Sequence, residues 1–268
     1  MFDYHVHSNF SPDAFMSMEE AIGKAIEKGV TELCFTDHID YDYPDTDFKF
    51  EFDYKIYLDK ISHLQNKYKG KIRIKKGIEI GLQPHILDRY NNDMNKYNLD
   101  FVIASIHVVD GKDLYAGDFF VNKGQKEAYR LYFEELYSML DAYNNFDVLG
   151  HLDIIKRYGN YHKPLDFEDY RSSLVPILEK IITMDKGLEV NTSGPRYKLK
   201  DYHPSLEIVN LYHDLGGKII TLGSDAHQTQ HVAFDFKKAI SALKDIGFSY
   251  ICTYRQRQPL FNRIDKLL

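Results

Sequence analysis

The feature that most constrains the fold is a regular alternation of short apolar runs, rich in β-branched residues, with longer amphipathic stretches. Seven of the short runs predict strands, at residues 2–7, 32–38, 72–82, 100–109, 147–153, 187–194 and 218–227. The amphipathic stretches predict helices at residues 17–29, 52–68, 126–143, 166–187, 204–217 and 231–247. Strands that alternate with helices predict an α/β fold with a parallel sheet.

The same pattern bears on domain organisation. No Pro/Gly/Ser-rich linker interrupts it, and α/β barrels reach this length as one unit, so we expect one domain over residues 1–268. With seven units, closure into an incomplete (β/α)-type barrel is more economical than an open doubly wound sheet, which is the alternative. We expect the C-terminal segment SYICTYRQRQPLFNRI to add a short strand or to wrap the barrel.

Composition excludes several classes of protein. The net charge of −6 argues against a nucleic-acid-binding surface, which would need clustered Lys and Arg. No apolar run approaches the roughly 18 residues that span a bilayer, and the opening MFDYHVHS lacks the basic and apolar regions of a secretory signal. We therefore expect a cytoplasmic protein without nucleic-acid or membrane partners.

Metal-capable side chains stand at the carboxyl ends of the predicted strands. His5 and His7 share one face of the first strand because side chains alternate along a strand, and Asp225 and His227 repeat that spacing in the last. Asp13 follows the first strand. The strands between the first and the last carry similar groups: Asp37, His38, Glu79, His107, His151, Asp153 and Asn191. In a parallel α/β barrel these strand ends form the rim where active sites are built.

A single strand-end histidine is more often structural than a ligand, and Asp13 alone could cap a helix. Six histidines and three carboxylates on one rim would, however, carry a severe electrostatic and desolvation burden without cations. Imidazole and carboxylate ligands without thiolates suit Zn, Mn or Fe. We expect two or three divalent ions held by His5, His7, Asp13, His38, Glu79, His107, His151, Asp225 and His227.

The surroundings of Glu79 support this prediction. Gly77 and Gly81 share its face of the strand, so we expect them to leave room for ions, and Glu79 is the natural bridging carboxylate of a phosphate-ester hydrolase. Asp37 has the opposite parity to His38, so we expect it to orient an imidazole rather than to bind metal.

Seven short motifs carry a family resemblance over nearly the whole chain, in order. They are DYHVHS with Asp13, TDH (36–38), GIEIG (77–81), SIHVVDG (105–111), GHLD (150–153), NTSGPR (191–196) and SDAH (224–227). Together they resemble the polymerase and histidinol phosphatase (PHP) superfamily, and GHLD followed by IIKRYG resembles its stand-alone L-histidinol-phosphate phosphatases. The resemblance implies a distorted, TIM-like (β/α)7 barrel with a trinuclear site. It also implies hydrolysis of L-histidinol phosphate to L-histidinol and phosphate in histidine biosynthesis.

Carried over residue by residue, the resemblance implies one metal on His5, His7, Glu79 and Asp225, a second on Glu79, His107 and His151, and a third on Asp13, His38 and His227. In some relatives a histidine replaces Asp13. The expected mechanism is in-line attack on phosphorus by a metal-bridging hydroxide, with catalytic roles for Glu79, Asp225 and His227. The proton donor stays open among Asp225, a ligand histidine and a metal-bound water.

Arg157 and Arg196 follow predicted strands five and six, on rim loops. Composition alone favours exposed arginines, but rim position and the resemblance favour phosphate binding, for which a planar guanidinium is suited. Tyr115 is a weaker candidate for a phosphate hydrogen bond.

Three other functions stay open. Another PHP-type phosphoesterase, acting on a nucleotide or a bisphosphate, could differ only in the loops near residues 40–50, 85–98 and 111–123. A metal-dependent amidohydrolase would ordinarily show a metal-bridging lysine at a strand end, and a non-catalytic module would typically have lost ligands. The segment YDYPDTDF (41–48) is either a contact for the imidazole and ammonium of histidinol phosphate or a solvated acidic loop.

Overall fold

The strands and helices follow the predicted alternation. The structure is a computed structural model that describes residues 1–267; Leu268, the last residue of the expected domain, lies outside the described residues. The strands are β1 (Phe2–Val6), β2 (Glu32–Phe35), β3 (His38–Ile39), β4 (Arg73–Gly81), β5 (Phe101–Ser105), β6 (Val108–Val109), β7 (Lys112–Asp113), β8 (Val148–Leu149), β9 (Gly187–Asn191), β10 (Ile220–Gly223), β11 (Tyr250–Arg255) and β12 (Gln258–Arg263). The α-helices are α1 (Met18–Glu27), α2 (Tyr54–Lys67), α3 (Leu87–Lys96), α4 (Gln125–Ala142), α5 (Phe167–Thr183), α6 (Leu206–Asp214) and α7 (Phe236–Ile246).

The main sheet is parallel and nearly closed. Its strands pair in the order β1-β2-β4-β5-β8-β9-β10, and β3 continues the line of β2 along β4. A parallel bridge between Val6 and Ala226 joins the first strand to the segment after the last, with His7 N donating to Ala226 O at 3.0 Å. The prediction of an α/β fold with a distorted (β/α)7 barrel is therefore confirmed, and the open-sheet alternative is wrong.

Two apolar clusters hold the barrel together. The larger joins the helices to the outward-facing strand residues, and the smaller lies among the strands and contains Tyr4, Phe101 and Tyr254. The antiparallel hairpin β11–β12 supplies Tyr254, whose backbone N–H donates to the Tyr4 hydroxyl at 2.8 Å. The C-terminal segment thus covers the amino-terminal end of the barrel and leaves the opposite rim to the polar residues.

Several predicted strands are shorter in the structure. The runs 32–38 and 100–109 are each interrupted, the first at Thr36–Asp37 and the second at Ile106–His107, where the chain leaves the sheet to form the β6–β7 hairpin. The run 147–153 pairs only at Val148–Leu149, because the backbone turns at His151 with a φ of 22°. Each interruption falls where a polar side chain is needed at the rim.

The expectation of a loop at residues 85–98 is wrong, because α3 occupies most of that segment. Its only buried side chains are Leu87 and Tyr90, so the sequence shows no repeating apolar face. The N-terminus of α1 agrees with the sequence: Ser17 and Glu20 form a capping box, with Glu20 N donating to Ser17 Oγ at 3.2 Å. No helix within residues 1–267 is long and apolar enough to cross a membrane.

Candidate metal centre

The carboxylate of Glu79 lies at the middle of the rim, and its Oε2 faces three imidazoles. It is 3.0 Å from His5 Nε2, 3.4 Å from His7 Nε2 and 3.2 Å from His38 Nδ1. Asp225 completes this side, with Oδ1 3.4 Å from His7 Nε2 and 3.8 Å from His5 Nε2. The first strand thus directs both histidines toward two carboxylates from different strands.

The other oxygen of Glu79 faces a separate pair of imidazoles. Its Oε1 is 2.8 Å from His151 Nε2 and 3.4 Å from His107 Nε2, and it accepts a hydrogen bond from Ser105 Oγ at 2.6 Å. The two oxygens of one carboxylate therefore point at two different sets of nitrogens, as a bridge between two cations requires.

A third corner is built around Asp13. Its Oδ2 is 3.1 Å from His227 Nε2 and 3.8 Å from His38 Nε2. The His7 ring is stacked between those of His38 and His227, with centroid distances of 4.3 and 4.1 Å. The structure therefore brings all nine residues predicted as ligands into one cluster.

The donor set suits divalent cations. Four overlapping groups have ligand atoms within 4.8 Å of one another: His5–His7–Asp225, His5–Glu79–His151, His38–Glu79–His107 and His7–His38–His227. Among the described residues, His7 Nε2, His38 Nδ1 and Asp13 Oδ1 are buried without a hydrogen-bond partner. Buried polar atoms rarely stay unpaired, and these three point into the cluster, so a bound cation would satisfy them.

Burial and mutual charge shift the pKa values of these groups in opposite directions. Burial alone would raise the pKa of Glu79, but His5, His38 and His107 outweigh it and hold that pKa well below its usual value. Burial and the neighbouring His227 and His38 lower the pKa of His7 well below its usual value. Glu79 is therefore ionised and His7 is neutral, the protonation states in which they bind metals. Neighbouring carboxylates outweigh burial and raise the pKa values of His5, His107 and His227, so these imidazoles would release protons on binding a cation.

Two other carboxylates orient the imidazoles, and the sequence reasoning missed both. Glu189 Oε1 lies 2.6 Å from Nδ1 of His5, and Asp40 Oδ2 lies 2.6 Å from Nδ1 of His107. Such carboxylate–histidine pairs fix the ring orientation of metal ligands. A spacing signal existed for each, since Glu189 stands two residues before Asn191 and Asp40 two residues after His38.

The expectation that Gly77 and Gly81 leave room for ions is wrong. The space beside Gly81 is filled by the Asp40 carboxylate, whose Cγ lies 2.6 Å from where a Cβ would stand, and Cys34 Sγ fills the corresponding space at Gly77. These glycines make room for protein atoms rather than for ions. Asp37 reaches an imidazole through a serine: it accepts hydrogen bonds from Ser8 and Ser11, and Ser11 Oγ lies 3.3 Å from His7 Nδ1.

A cavity of about 380 Å³ opens above the cluster and contains the predicted substrate-binding residues in its lining. The Arg196 guanidinium donates from Nη2 to the Asp225 carbonyl at 2.8 Å, while its Nε and Nη1 are buried without a partner among residues 1–267. The Arg157 guanidinium lies 3.1 Å from the centroid of the Tyr197 ring. Tyr115 is mostly exposed at the mouth. The cavity therefore offers two guanidinium groups beside the metal-binding cluster.

Part of the cavity wall is acidic and aromatic. It includes Tyr43, Asp45 and Phe48 from the 41–48 segment, and Asp113 and Tyr115 from the 111–123 segment. No residue of the third segment, 85–98, is in the lining, so its expected role facing the substrate is wrong. His231 also lines the cavity.

Comparisons with known proteins agree with this geometry. The PHP domain family model matches residues 3–193. The chain is 34% identical over 257 residues to a histidinol-phosphatase of Lactococcus lactis, covering 94% of this chain and 93% of that one. It is also 34% identical over 242 residues to a probable histidinol-phosphatase of Clostridium acetobutylicum, covering 90% of this chain and 91% of that one.

Solved structures show the same fold. A crystal structure of histidinol phosphate phosphatase from Lactococcus lactis, complexed with zinc, L-histidinol and phosphate, superposes with a TM-score of 0.89 at 31% identity, covering 97% of this chain and 98% of that one. A Listeria monocytogenes structure described as a putative histidinol phosphatase has a TM-score of 0.79 at 22% identity, covering 89% of this chain and 99% of that one, a likeness of fold. The rim cluster, the barrel and the family match lead to one conclusion: the chain belongs to the PHP domain family.

Proposed function

We propose that this chain is a metal-dependent phosphomonoesterase that hydrolyses L-histidinol phosphate to L-histidinol and phosphate. The observation that carries the proposal is the position of Glu79, whose two oxygens face separate histidine sets at the floor of a cavity that also contains Arg157 and Arg196. The full-length similarity to histidinol-phosphatases, one of them solved with zinc, L-histidinol and phosphate, supports the substrate.

We assign the metal ligands in three groups, two of which share Glu79. His5, His7, Glu79 and Asp225 would hold one divalent ion, and Glu79 with His107 and His151 a second. Asp13, His38 and His227 would hold the third. The contacts within each group are between 2.8 and 3.8 Å, which supports the grouping. Zinc, manganese and iron all suit this mixture of imidazole and carboxylate ligands.

The two arginines are proposed to bind the phosphate group. Burial lowers the pKa of Arg196, but a guanidinium stays charged at neutral pH, and its two unpartnered nitrogens are placed to donate to an anion. Arg157 is held against the Tyr197 ring, which leaves the edge of its guanidinium for hydrogen bonding. Charge-assisted bonds from two planar donors suit the equatorial oxygens of a phosphoryl group.

The chemistry divides between the ions and the chain. Divalent ions bound at these residues would lower the pKa of water and neutralise charge that develops on the phosphoryl oxygens. Glu79 orients both ligand sets, and Ser105, through its hydrogen bond to Oε1, fixes the rotation of that carboxylate. Asp225 and His227 line the cavity beside Arg196, and we assign them the orientation of the water that gives a proton to the departing oxygen.

The acidic and aromatic part of the cavity wall suits the rest of the substrate. Histidinol phosphate carries an ammonium and an imidazole, and Tyr43, Asp45 and Phe48 offer a carboxylate and aromatic faces to such cationic and planar groups. No lysine lines this cavity among the described residues, which argues against the metal-bridging lysine of an amidohydrolase. The same wall would not favour the anionic second half of a bisphosphate.

The test is phosphate release from L-histidinol phosphate, a nucleoside monophosphate and p-nitrophenyl phosphate, with protein stripped by chelator and reconstituted with Zn, Mn or Fe. We expect metal-dependent turnover with kcat/KM for histidinol phosphate higher by orders of magnitude. If another ester is preferred, the substrate assignment is wrong but the assignment of phosphatase activity is retained. If metals bind and no ester is cleaved, the assignment of hydrolase activity is refuted.

A further inference from the structure

Beside the loops that carry the two arginines lies a largely buried polar cluster that the proposed reaction does not use. It consists of Asp153, Lys156 and His203. Asp153 Oδ2 accepts from Lys156 Nζ at 2.8 Å, and Asp153 Oδ1 lies 3.1 Å from His203 Nδ1. Asp153 Oδ2 also accepts from Ser205 N at 3.0 Å. The Asp153 carboxylate therefore accepts hydrogen bonds from three donors that belong to two separate segments of the chain.

These bonds connect the loop after β8 to the loop after β9. Asp153 and Lys156 belong to the first loop, and His203 and Ser205 to the second. Lys156 Nζ also donates to the backbone carbonyl of Tyr202 in the second loop. His203 is in turn fixed to the end of β9, since Asn191 N donates to His203 O at 2.7 Å and His203 N to Asn191 O at 2.9 Å.

Each of the connected loops carries one of the two arginines. Arg157 directly follows Lys156 and ends the 3-10 turn Ile154–Arg157. Arg196 lies in the 3-10 turn Gly194–Tyr197, and Tyr197 of that turn packs on the Arg157 guanidinium. The relative position of the two loops therefore sets the distance between the two guanidinium groups.

The charges of the cluster balance. The Lys156 ammonium and the Asp153 carboxylate form an ion pair at 2.8 Å, and little of either side chain is exposed. Burial and the Lys156 ammonium lower the pKa of His203 to about 4, so its imidazole is neutral and Nδ1 donates to Asp153. A buried ion pair adds little net stability over apolar residues, whereas it can favour one arrangement of the groups it connects.

We propose that Asp153, Lys156 and His203 are positioning residues that hold Arg157 and Arg196 at the spacing needed to bind one phosphate group together. The proposal rests on the proposed function, in which both arginines contact the phosphate. Loosening the cluster lets the loops separate, so both arginines can no longer reach one anion without a cost in loop ordering. The metal ligands of the other strands stay in place.

The test compares Lys156→Met, His203→Ala and His203→Asn in the metal-loaded protein. The asparagine amide reproduces the Nδ1 donor of His203, while alanine removes it. The measurements are the inhibition constant of inorganic phosphate, the KM and kcat for histidinol phosphate, and the metal content per chain. We expect Lys156→Met and His203→Ala to raise both the phosphate inhibition constant and KM by about tenfold, with full metal content and kcat within about threefold of the parent. His203→Asn should restore most of the phosphate affinity.

A matched control separates positioning from a general loss of stability. Arg257 pairs with the buried Asp147 at 2.5 Å, far from the rim, so Arg257→Met also leaves a buried aspartate without its cation. It should lower the melting temperature as Lys156→Met does, while phosphate inhibition stays within about twofold of the parent. If Lys156→Met does not fold, Asp153→Asn/Lys156→Met, which leaves no unpaired charge, replaces it under the same criteria.

The inference is overturned if the folded cluster variants bind phosphate within about twofold of the parent, or if His203→Ala and His203→Asn behave alike. Arg157→Ala and Arg196→Ala, measured in the same series, test the proposed function separately. If these two leave phosphate inhibition unchanged, the proposed phosphate contact is wrong. If they weaken it and the cluster variants do not, only the positioning role falls.

Discussion

Glu189 Oε1 lies 2.6 Å from Nδ1 of His5, and the Nε2 on the far side of the same ring lies 3.0 Å from Glu79 Oε2. The imidazole is thus held between two buried carboxylates, one on each nitrogen. Glu189 also accepts from the backbone N–H of His151 through its other oxygen at 2.8 Å. A single carboxylate on β9 therefore fixes ligands of both histidine sets around Glu79.

We predict that Glu189→Gln weakens metal binding by about 10- to 100-fold, the usual cost of losing a carboxylate partner of a ligand histidine. Competition against a chelator of known affinity measures it. Glu32→Gln is the control, because Glu32 is also buried and pairs with Arg73 at the opposite end of the barrel. Equal metal affinity in the two variants would contradict the orienting role.

Asp40→Asn should affect a different ion. Asp40 contacts Nδ1 of His107, which faces Glu79 Oε1, so we expect loss of the ion on the His107–His151 side first. Metal analysis during stepwise chelation should show one ion per chain leaving at a chelator concentration about tenfold lower than in the parent. Simultaneous release of all ions would show that Asp40 supports the whole cluster instead.

Glu79→Gln should remove metal and activity together. The amide offers one oxygen where two are needed, so it cannot bridge the two histidine sets, and we expect kcat/KM to fall at least about 10³-fold. Metal content by mass spectrometry and steady-state kinetics on the same preparation give both quantities. A fully metallated and active Glu79→Gln variant would refute the bridging role.

Arg157→Ala and Arg196→Ala should each raise KM for histidinol phosphate by about 10- to 100-fold with metal content intact, because each removes charge-assisted bonds to the phosphate. Arg130→Ala is the control: Arg130 is exposed on α4 and pairs with Glu134, four residues later in the same helix. If neither Arg157→Ala nor Arg196→Ala changes the kinetics, contact between these arginines and the phosphate is excluded.

The pH dependence of stability should depend partly on His203. Its pKa is about 4 in the folded chain and near 6.5 in the unfolded chain, so the unfolded chain binds more protons between these values. The contribution of His203 to the free energy of unfolding is therefore fully present above pH 6.5. It is lost as the pH falls toward 4, and the total loss is roughly 3 kcal/mol. Urea unfolding of metal-free protein at pH 7 and pH 4.5 should show a smaller loss for His203→Asn than for the parent. An equal loss would exclude His203 as a source of the acid sensitivity.

The sequence by itself determined the parts of the fold that depend on local periodicity. The alternation of apolar runs and amphipathic stretches predicts the barrel, and the capping box predicts the start of α1. The nine candidate ligands were predictable because parallel strands bring their carboxyl ends to one rim, whatever the details of packing. Helix α3 escaped prediction because two buried residues make no repeating pattern.

Only the tertiary structure decided what touches each ligand. Glu189 and Asp40 lie 184 and 67 residues from the histidines they orient. The alternation of side chains along a strand could therefore indicate the face of the strand on which each carboxylate lies, but not the histidine that it contacts. The same holds for the space beside Gly81, which Asp40 fills from a neighbouring strand. Periodicity fixes which way a side chain points, whereas contacts between loops and strands distant in sequence depend on how the whole chain packs.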